Sequence, residues 1–433
     1  MIRFLYNLLF PIALIAFMPG YLAKLLRRGN FRHKLGQRFG LYDESVRSRI
    51  ATVPRTWIHA VSVGEVAIAL KLARKLKQID QTFACILTTT TTTGFAVANQ
   101  EPCDWIEVMY NPLDFYPVVR RAFAVINPVQ IILVEAEVWP NLVAIARARR
   151  IPVALVNARL SRRSELRFLR FHRFVAPTFR CLDLVCVQEL DDVERWSALG
   201  IPSERIKHVG SVKYDPEGAK IDSRVPAEVM ATFGIGDGRP VLFGGSTHAG
   251  EEEILASVFQ KLRTEIPRCV LVIAPRHIER VPEIRARLER MSLTVALRSQ
   301  AAEGALQPID CLILDTTGEL QDWYSIATVV FIGKSLTARG GQNPVEPILA
   351  GKPVVFGPHM ENFSALAHTL VEKNAAVQVP DADSLEQNCA RLLRNPEAGA
   401  RLIANAEMIL AVHRGATERT AVLVRQLRLA ARK

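Results

Sequence analysis

Two doubly wound α/β domains, each a parallel sheet covered by helices, are the architecture this sequence predicts. Three observations lead there. Short β-branched runs alternate with helical segments along most of the chain, the signature of successive βαβ units. The alternation breaks once, at residues 214–226, where Pro216, Gly218 and Pro226 stand among charged residues, and then restarts. A length of 433 residues, 49% of them apolar, supplies cores for two or three domains.

The chain opens with an uncharged run from Phe4 to Ala23, long enough to cross a bilayer core as a helix, with Pro11 and Pro19-Gly20 as kinks. This run exceeds the usual apolar core of a signal peptide and lacks a good small-residue cleavage pattern. The cluster from Lys24 to Arg38 would be held on the cytoplasmic side. The expectation is therefore an uncleaved membrane anchor over residues 1–26, either spanning or lying in the interface with its basic collar on an anionic membrane surface. The formal charge is +12, and residues 1–50 hold nine Lys/Arg against Asp43 and Glu44. The excess thus gathers beside the apolar segment. A non-enzymatic polyanion or nucleic-acid binder fits this poorly, because no basic face studded with aromatics appears. The seven cysteines are scattered, mostly within apolar runs, and form no Cys-x-x-Cys pair. They read as reduced core residues, in keeping with the cytoplasm.

The expected division is an anchor (1–26), a first α/β domain (27–213), a linker (214–226) and a second α/β domain (227–433). The last helix has the option of packing back on the first domain. Strands are expected near 56–62, 84–91, 105–110, 129–135, 152–157 and 182–188, then near 240–245, 269–274, 311–315, 328–333, 353–356 and 375–379. In such sheets ligands bind beyond the carboxyl ends of the strands, here in a cleft that the two domains would face. The strand exits are accordingly the places to look for chemistry.

The first exit is Trp57-Ile58-His59-Ala60-Val61-Ser62-Val63-Gly64-Glu65-Val66, an apolar run that turns directly into a helical pattern. Glu65 falls in the first helical turn, where it can cap the helix or serve as a general base. Thr88 to Thr93, followed by Gly94, reads mainly as a strand end with an N-cap. Glu135 and Glu137 close another strand, and strict alternation would send them to opposite faces, so that only one need face the cleft. Arg159, after Val156-Asn157-Ala158, is a possible anion partner or a surface residue.

The second half repeats the theme. Gly244-Gly245-Ser246-Thr247-His248-Ala249-Gly250 is a glycine-rich turn able to cradle a phosphate, and it matches neither the P-loop nor the dinucleotide fingerprint. Pro275-Arg276-His277 offers a guanidinium for a phosphate or a sugar carboxylate. Asp315-Thr316-Thr317-Gly318-Glu319 places backbone donors at a helix start. Asn343-Pro344-Val345-Glu346 reads as a capping box with Asn343 at the N-cap, although Glu346 could equally accept from ribose hydroxyls. Asp381-Ala382-Asp383 resembles a metal-binding pair but reads better as the cap of the helix that follows.

Taken in order, five of these motifs resemble the 3-deoxy-D-manno-octulosonic acid (Kdo) transferases. They are residues 57–66, Val-Asn-Ala-Arg-Leu-Ser (156–161), Gly-Ser-Thr-His-x-Gly-Glu-Glu (245–252), Pro-Arg-His-x-Glu-Arg (275–280) and Asn-Pro-x-Glu-Pro (343–347). The resemblance spans both expected domains. It implies a GT-B glycosyltransferase that takes Kdo from CMP-Kdo to a lipid A precursor in lipopolysaccharide synthesis. It further implies action at the cytoplasmic face of a bacterial inner membrane, with no cofactor, no metal and no nucleic-acid partner. By the same resemblance Glu65 matches the catalytic base, and Glu135 and Lys213 match positions that support the transition state. Pro275, Arg276, Thr317, Gly318, Glu319, Asn343, Pro344, Val345 and Glu346 fall on the CMP-binding segments. Ser246 and Thr247 join them as donor-side candidates from the glycine-rich turn.

Some positions depart from the family pattern: Lys334 stands for a usual Gly, Gln342 for His, Ser211 for Asn and Ala136 for Thr. The alternative is another GT-B sugar transferase or sugar-nucleotide enzyme with a different donor or acceptor, since the fold is shared by many.

Overall fold

The computed structural model describes residues 2–27, 34–100, 103–215, 221–236, 238–302 and 308–431. By their internal packing they form two units, Met1–Glu217 with His413–Lys433, and Gly218–Val412.

The first unit is built on a seven-stranded sheet: β1 (Thr56–His59), β2 (Cys85–Thr89), β3 (Ile106–Tyr110), β4 (Gln130–Val134), β5 (Val153–Ala158), β6 (Leu184–Val187) and β7 (Ile206–His208). The order is β3-β2-β1-β4-β5-β6-β7 and every pairing is parallel. Because side chains alternate, neighbouring residues feed two separate cores. Trp57, Ile131, Leu133 and Leu155 pack on one face, and Ile58, Ile132, Val134 and Ala154 on the other. Burial on both faces explains why these strands read as continuous apolar runs.

The second core also takes Ala421 and Val424 of the C-terminal helix Ala416–Ala430, beside Leu72, Ala73 and Leu76 of the helix Val63–Ile79. Gln130 donates to the Val424 carbonyl (2.9 Å), and Arg428 pairs with Asp80. Tyr214 and Asp215, within the expected linker, are built into this unit. Tyr214 lies against His413, and Asp215 accepts from the Gly415 N–H (2.9 Å) and the Thr417 N–H (2.7 Å). The rest of that stretch from Pro216 to Lys220 lies outside the described residues.

The second unit repeats the plan with β8 (Val241–Thr247), β9 (Val270–Pro275), β10 (Val295–Leu297), β11 (Cys311–Ile313), β12 (Val329–Ile332), β13 (Val354–Phe356) and β14 (Val377–Gln378). Its order is β10-β11-β9-β8-β12-β13-β14, again all parallel. In both sheets the order reverses beside the first strand, between β1 and β4 and between β8 and β12. These are the topological switch points where such sheets bind ligands.

Residues Ile2–Arg27 form one helix, yet among the described residues no helix is long and apolar enough to cross a membrane. Of the two forms expected of the anchor, spanning or interfacial, the spanning one is not confirmed. Asn7 interrupts the run and is turned onto the body of the unit. Asn7 donates to Asn141 (2.9 Å) and accepts from the Tyr116 N–H (3.0 Å), while Phe10 stacks on Phe115. Phe4, Leu8 and Ile12 remain exposed, at 74%, 56% and 63%. Arg28 and Arg32 of the basic collar lie outside the described residues. The cysteines are all free, and five of the seven are buried.

Candidate active site

In the first unit the strand exits converge at the β1/β4 switch point. Ser62 caps the helix Val63–Ile79 and forms a reciprocal capping box with Glu65, so the cap reading holds as geometry. The Glu65 carboxylate is buried and accepts from the Val61 N–H (2.8 Å), the Ser62 hydroxyl (2.8 Å) and the Ser62 N–H (3.3 Å). A carboxylate has about four acceptor positions, so these bonds leave one for a substrate hydroxyl.

The loop that holds Glu65 is itself pinned. Thr89 and Thr91 donate to the Val61 carbonyl (3.1 and 3.2 Å), and Thr91 caps its own helix through the Gly94 N–H (3.0 Å). His59 is fully buried and bonded at Nδ1 to the Thr88 carbonyl (3.1 Å), and burial pushes its pKa down to about 4. It is a neutral packing residue.

Strand β4 ends at Val134, and Glu135 leaves it with φ +60°, a left-handed conformation that a non-glycine residue adopts at a cost. The break cancels the strand alternation. Both Glu135 and Glu137 feel the Glu65 charge. Burial, then Glu65, raises the Glu135 pKa, while Lys213 and Arg159 oppose the rise. Burial, then Glu65 and Glu135, brings Glu137 up to about 7. Lys213 is lowered by burial, with Glu135 opposing.

The Lys213 turn is fixed by Asn157, which is buried at φ +50°. Its Oδ1 accepts from the Ser211 hydroxyl (3.2 Å) and the Val212 N–H (3.0 Å). Lys71 donates to the carbonyls of Val212 (3.1 Å) and Asp215. Sequence reasoning missed the parts played by Asn157, Lys71 and Glu137. The signals in the sequence were Asn157 within the Val-Asn-Ala-Arg-Leu-Ser motif and Glu137 two residues after Glu135.

In the second unit, Ser246 sits near the end of β8 with φ +54°, where the pairing to β9 is irregular, and Lys334 follows β12 with φ +57°. Glycine adopts such a positive φ more readily than lysine does. Between them, Gly333 approaches so closely that an added Cβ would lie 2.1 Å from the Ser246 carbonyl oxygen. Glu251, fully buried, gathers the N–H groups of His248 (2.8 Å), Lys334 (2.7 Å), Ser335 (3.0 Å) and Leu336 (3.1 Å), tying the two loops together. Thr247 points inward and donates to Glu252 (3.0 Å), which pairs with Arg280 (2.9 Å).

Arg276 and Glu346 are brought together: burial raises the Glu346 pKa, while Asn343 and Arg276 hold it down. The capping-box expectation for this segment needs correction. The helix is Val345–Leu349, Asn343 Oδ1 accepts from the Val345 N–H (3.1 Å), and Asn343 Nδ2 donates to Glu346 (2.9 Å). The glutamate sits one position too early to reach the cap backbone. Glu319, after Thr317 and Gly318, is engaged by Arg298 (3.1 Å) and the Trp323 indole (3.2 Å). Pro275 ends β9, and Pro344 precedes the Val345 helix. Asp381 caps its helix through the Ser384 N–H (2.8 Å), and among the described residues no cluster of His, Cys, Asp or Glu is arranged to hold a metal.

Comparison with known proteins agrees with this architecture. The solved structures it resembles include the UDP-GlcNAc 2-epimerase of Neisseria meningitidis (TM-score 0.53, 12% identity, 86% of this chain and all of that one). Another is the glycotransferase of kitacinnamycin (TM-score 0.52, 14% identity, 87% and 99%). At these identities the likeness shows the fold alone, that of two-domain GT-B proteins. Residues 33–216 match the family model of the 3-deoxy-D-manno-octulosonic-acid transferase (kdotransferase). The transferase of Haemophilus influenzae is 32% identical over 96% of both chains. That of Bordetella pertussis is 34% identical over 84% of this chain and 85% of its own. On these relationships the chain belongs to the Kdo transferases, which are glycosyltransferases.

Proposed function

We propose that this enzyme is an inverting transferase that moves Kdo from CMP-Kdo to a lipid A precursor in lipopolysaccharide synthesis, with Glu65 as general base. The observation that carries this is the Glu65 carboxylate at the first switch point, held by three hydrogen bonds with one acceptor position left. It takes the proton of an acceptor hydroxyl as that oxygen attacks the ketosidic carbon of Kdo. The bond from that carbon to the CMP phosphate oxygen breaks, and CMP departs with the electron pair. Lys213 offsets the growing phosphate charge, and Glu135 keeps Lys213 cationic.

The donor is held by the second unit, with Arg276 for an anionic group, Glu346 for the ribose and the 317–319 turn and Ser246 as backbone donors. The Ile2–Arg27 helix rests on the anionic surface of a bacterial inner membrane at its cytoplasmic face, its exposed Phe4, Leu8 and Ile12 in the interface. The test is transfer by the purified full chain from CMP-Kdo, compared with UDP-linked sugars, to a tetra-acylated lipid A precursor. Turnover with CMP-Kdo alone is expected. Turnover only with a UDP-sugar would replace this reading by that of another GT-B transferase.

A further inference from the structure

Beside the carboxylates of the first unit opens a cleft of about 740 Å³, within the ~300–1,000 Å³ typical of small-molecule sites. Ala136 and Val138 from the β4 exit form part of its wall. Phe174, Val175 and Thr178 of the helix His172–Phe179 form another part, and Arg3 of the N-terminal helix stands among them. The lining is largely apolar. A second cavity of about 220 Å³ shares Arg3 and Ala144 with the first and adds Arg120 and Arg149. No carboxylate lines either one. Arg149 is fixed by a bond to the Phe123 carbonyl (3.1 Å), and Arg3 lies 5.7 Å from the centre of the Tyr116 ring.

We propose that the cleft holds an acyl chain of the acceptor, and that Arg3, Arg120 and Arg149 beside it take an acceptor phosphate. The inference rests on the acceptor reading above. The pairing of an apolar cleft with three arginines that no carboxylate pairs among the described residues fits a phosphorylated, acylated molecule. Ala136 fixes which such molecule: it lies in the chain between Glu135 and Glu137, both within reach of the Glu65 charge. A chain seated in the cleft therefore leaves its sugar head at those carboxylates, which a lipid of the surrounding bilayer has no need to do.

The experiment measures kcat/KM for diglucosamine bisphosphate acceptors whose acyl chains lengthen from none, with wild type, Thr178→Trp and Arg120→Ala. Wild type should gain up to about fourfold per methylene that enters the cleft. Thr178→Trp, which narrows the cleft from its wall, should lower the ratio of acylated to acyl-free turnover at least tenfold. Arg120→Ala should lower the ratio of phosphorylated to dephosphorylated turnover by a similar factor. Turnover that ignores chain length, or variants that leave these ratios unmoved, would overturn the proposal. So would a Thr178→Trp chain that loses binding to acceptor-free phosphatidylglycerol vesicles as strongly as it loses transfer, for the cleft would then hold bilayer lipid. If wild type transfers Kdo to none of the acceptors, the functional reading fails, and the cleft is judged by binding of cis-parinaric acid. Binding that Thr178→Trp abolishes supports an acyl site, and binding equal in both chains rules it out.

Discussion

Glu137 is half-buried after the β4 exit, and its burial, reinforced by the charges of Glu65 and Glu135, has a pH signature. Glu137 titrates at about 7, against 4.5 ordinarily, so the folded chain carries a proton there that the unfolded chain has released. Stability from this group is full below about pH 4.5 and is lost as pH rises through 7. Glu137→Gln should be more stable than wild type at pH 8 by on the order of 1–2 kcal/mol after solvent screening, the gap closing near pH 4.5. Superimposable stability curves against pH in urea titrations would contradict this. At Lys334 the relevant quantity is backbone strain. A lysine at φ +57° costs about 1–2 kcal/mol, and part of any relief is offset by the freer unfolded glycine chain. Lys334→Gly should raise stability by up to about 1 kcal/mol. A clear loss in thermal unfolding would mean that the ammonium holds the fold through contacts that outweigh the strain.

Most elements were legible because parallel strands buried on both faces leave unbroken apolar runs, as in Ile131-Ile132-Leu133-Val134. The two missed strands, β7 and β10, are three-residue strands at sheet edges: Lys207 and His208 of β7 are exposed and give no apolar run, and β10 offers only the short run Val295-Ala296-Leu297. The site was legible where a motif coincided with a strand exit, as at Glu65 and Arg276. It was not legible where one residue breaks a period. Glu135 leaves β4 in a left-handed conformation, and nothing in the local sequence announces it. The helix Ala416–Ala430 was expected only to have the option of returning to the first domain. Its start is held by Asp215, some 200 residues earlier in the chain. Asp215→Ala removes acceptors from two helix-start N–H groups and should cost about 1–2 kcal/mol in urea unfolding. No change in the midpoint would show that the helix is held by its apolar face alone.

For the whole molecule, the proposed membrane attachment assigns the positive charge and the exposed apolar face of the N-terminal helix to the same partner, an anionic bilayer. Leu8→Glu with Ile12→Glu places charge on the exposed face, away from the Asn7 contacts, so the fold should survive. Sedimentation with phosphatidylglycerol vesicles should fall at least tenfold, while CMP binding stays as in wild type. Vesicle binding that persists would remove the helix from the membrane account.

The central claim is that this Kdo transferase uses Glu65 as its base, and Glu65→Gln tests it most directly. The amide keeps the size and an acceptor oxygen but cannot take the proton. Transfer from CMP-Kdo should fall by about 10²–10⁴-fold, with CMP binding by calorimetry and the melting temperature close to wild type. Near-normal transfer by Glu65→Gln would contradict the account and leave Glu65 as the helix cap alone.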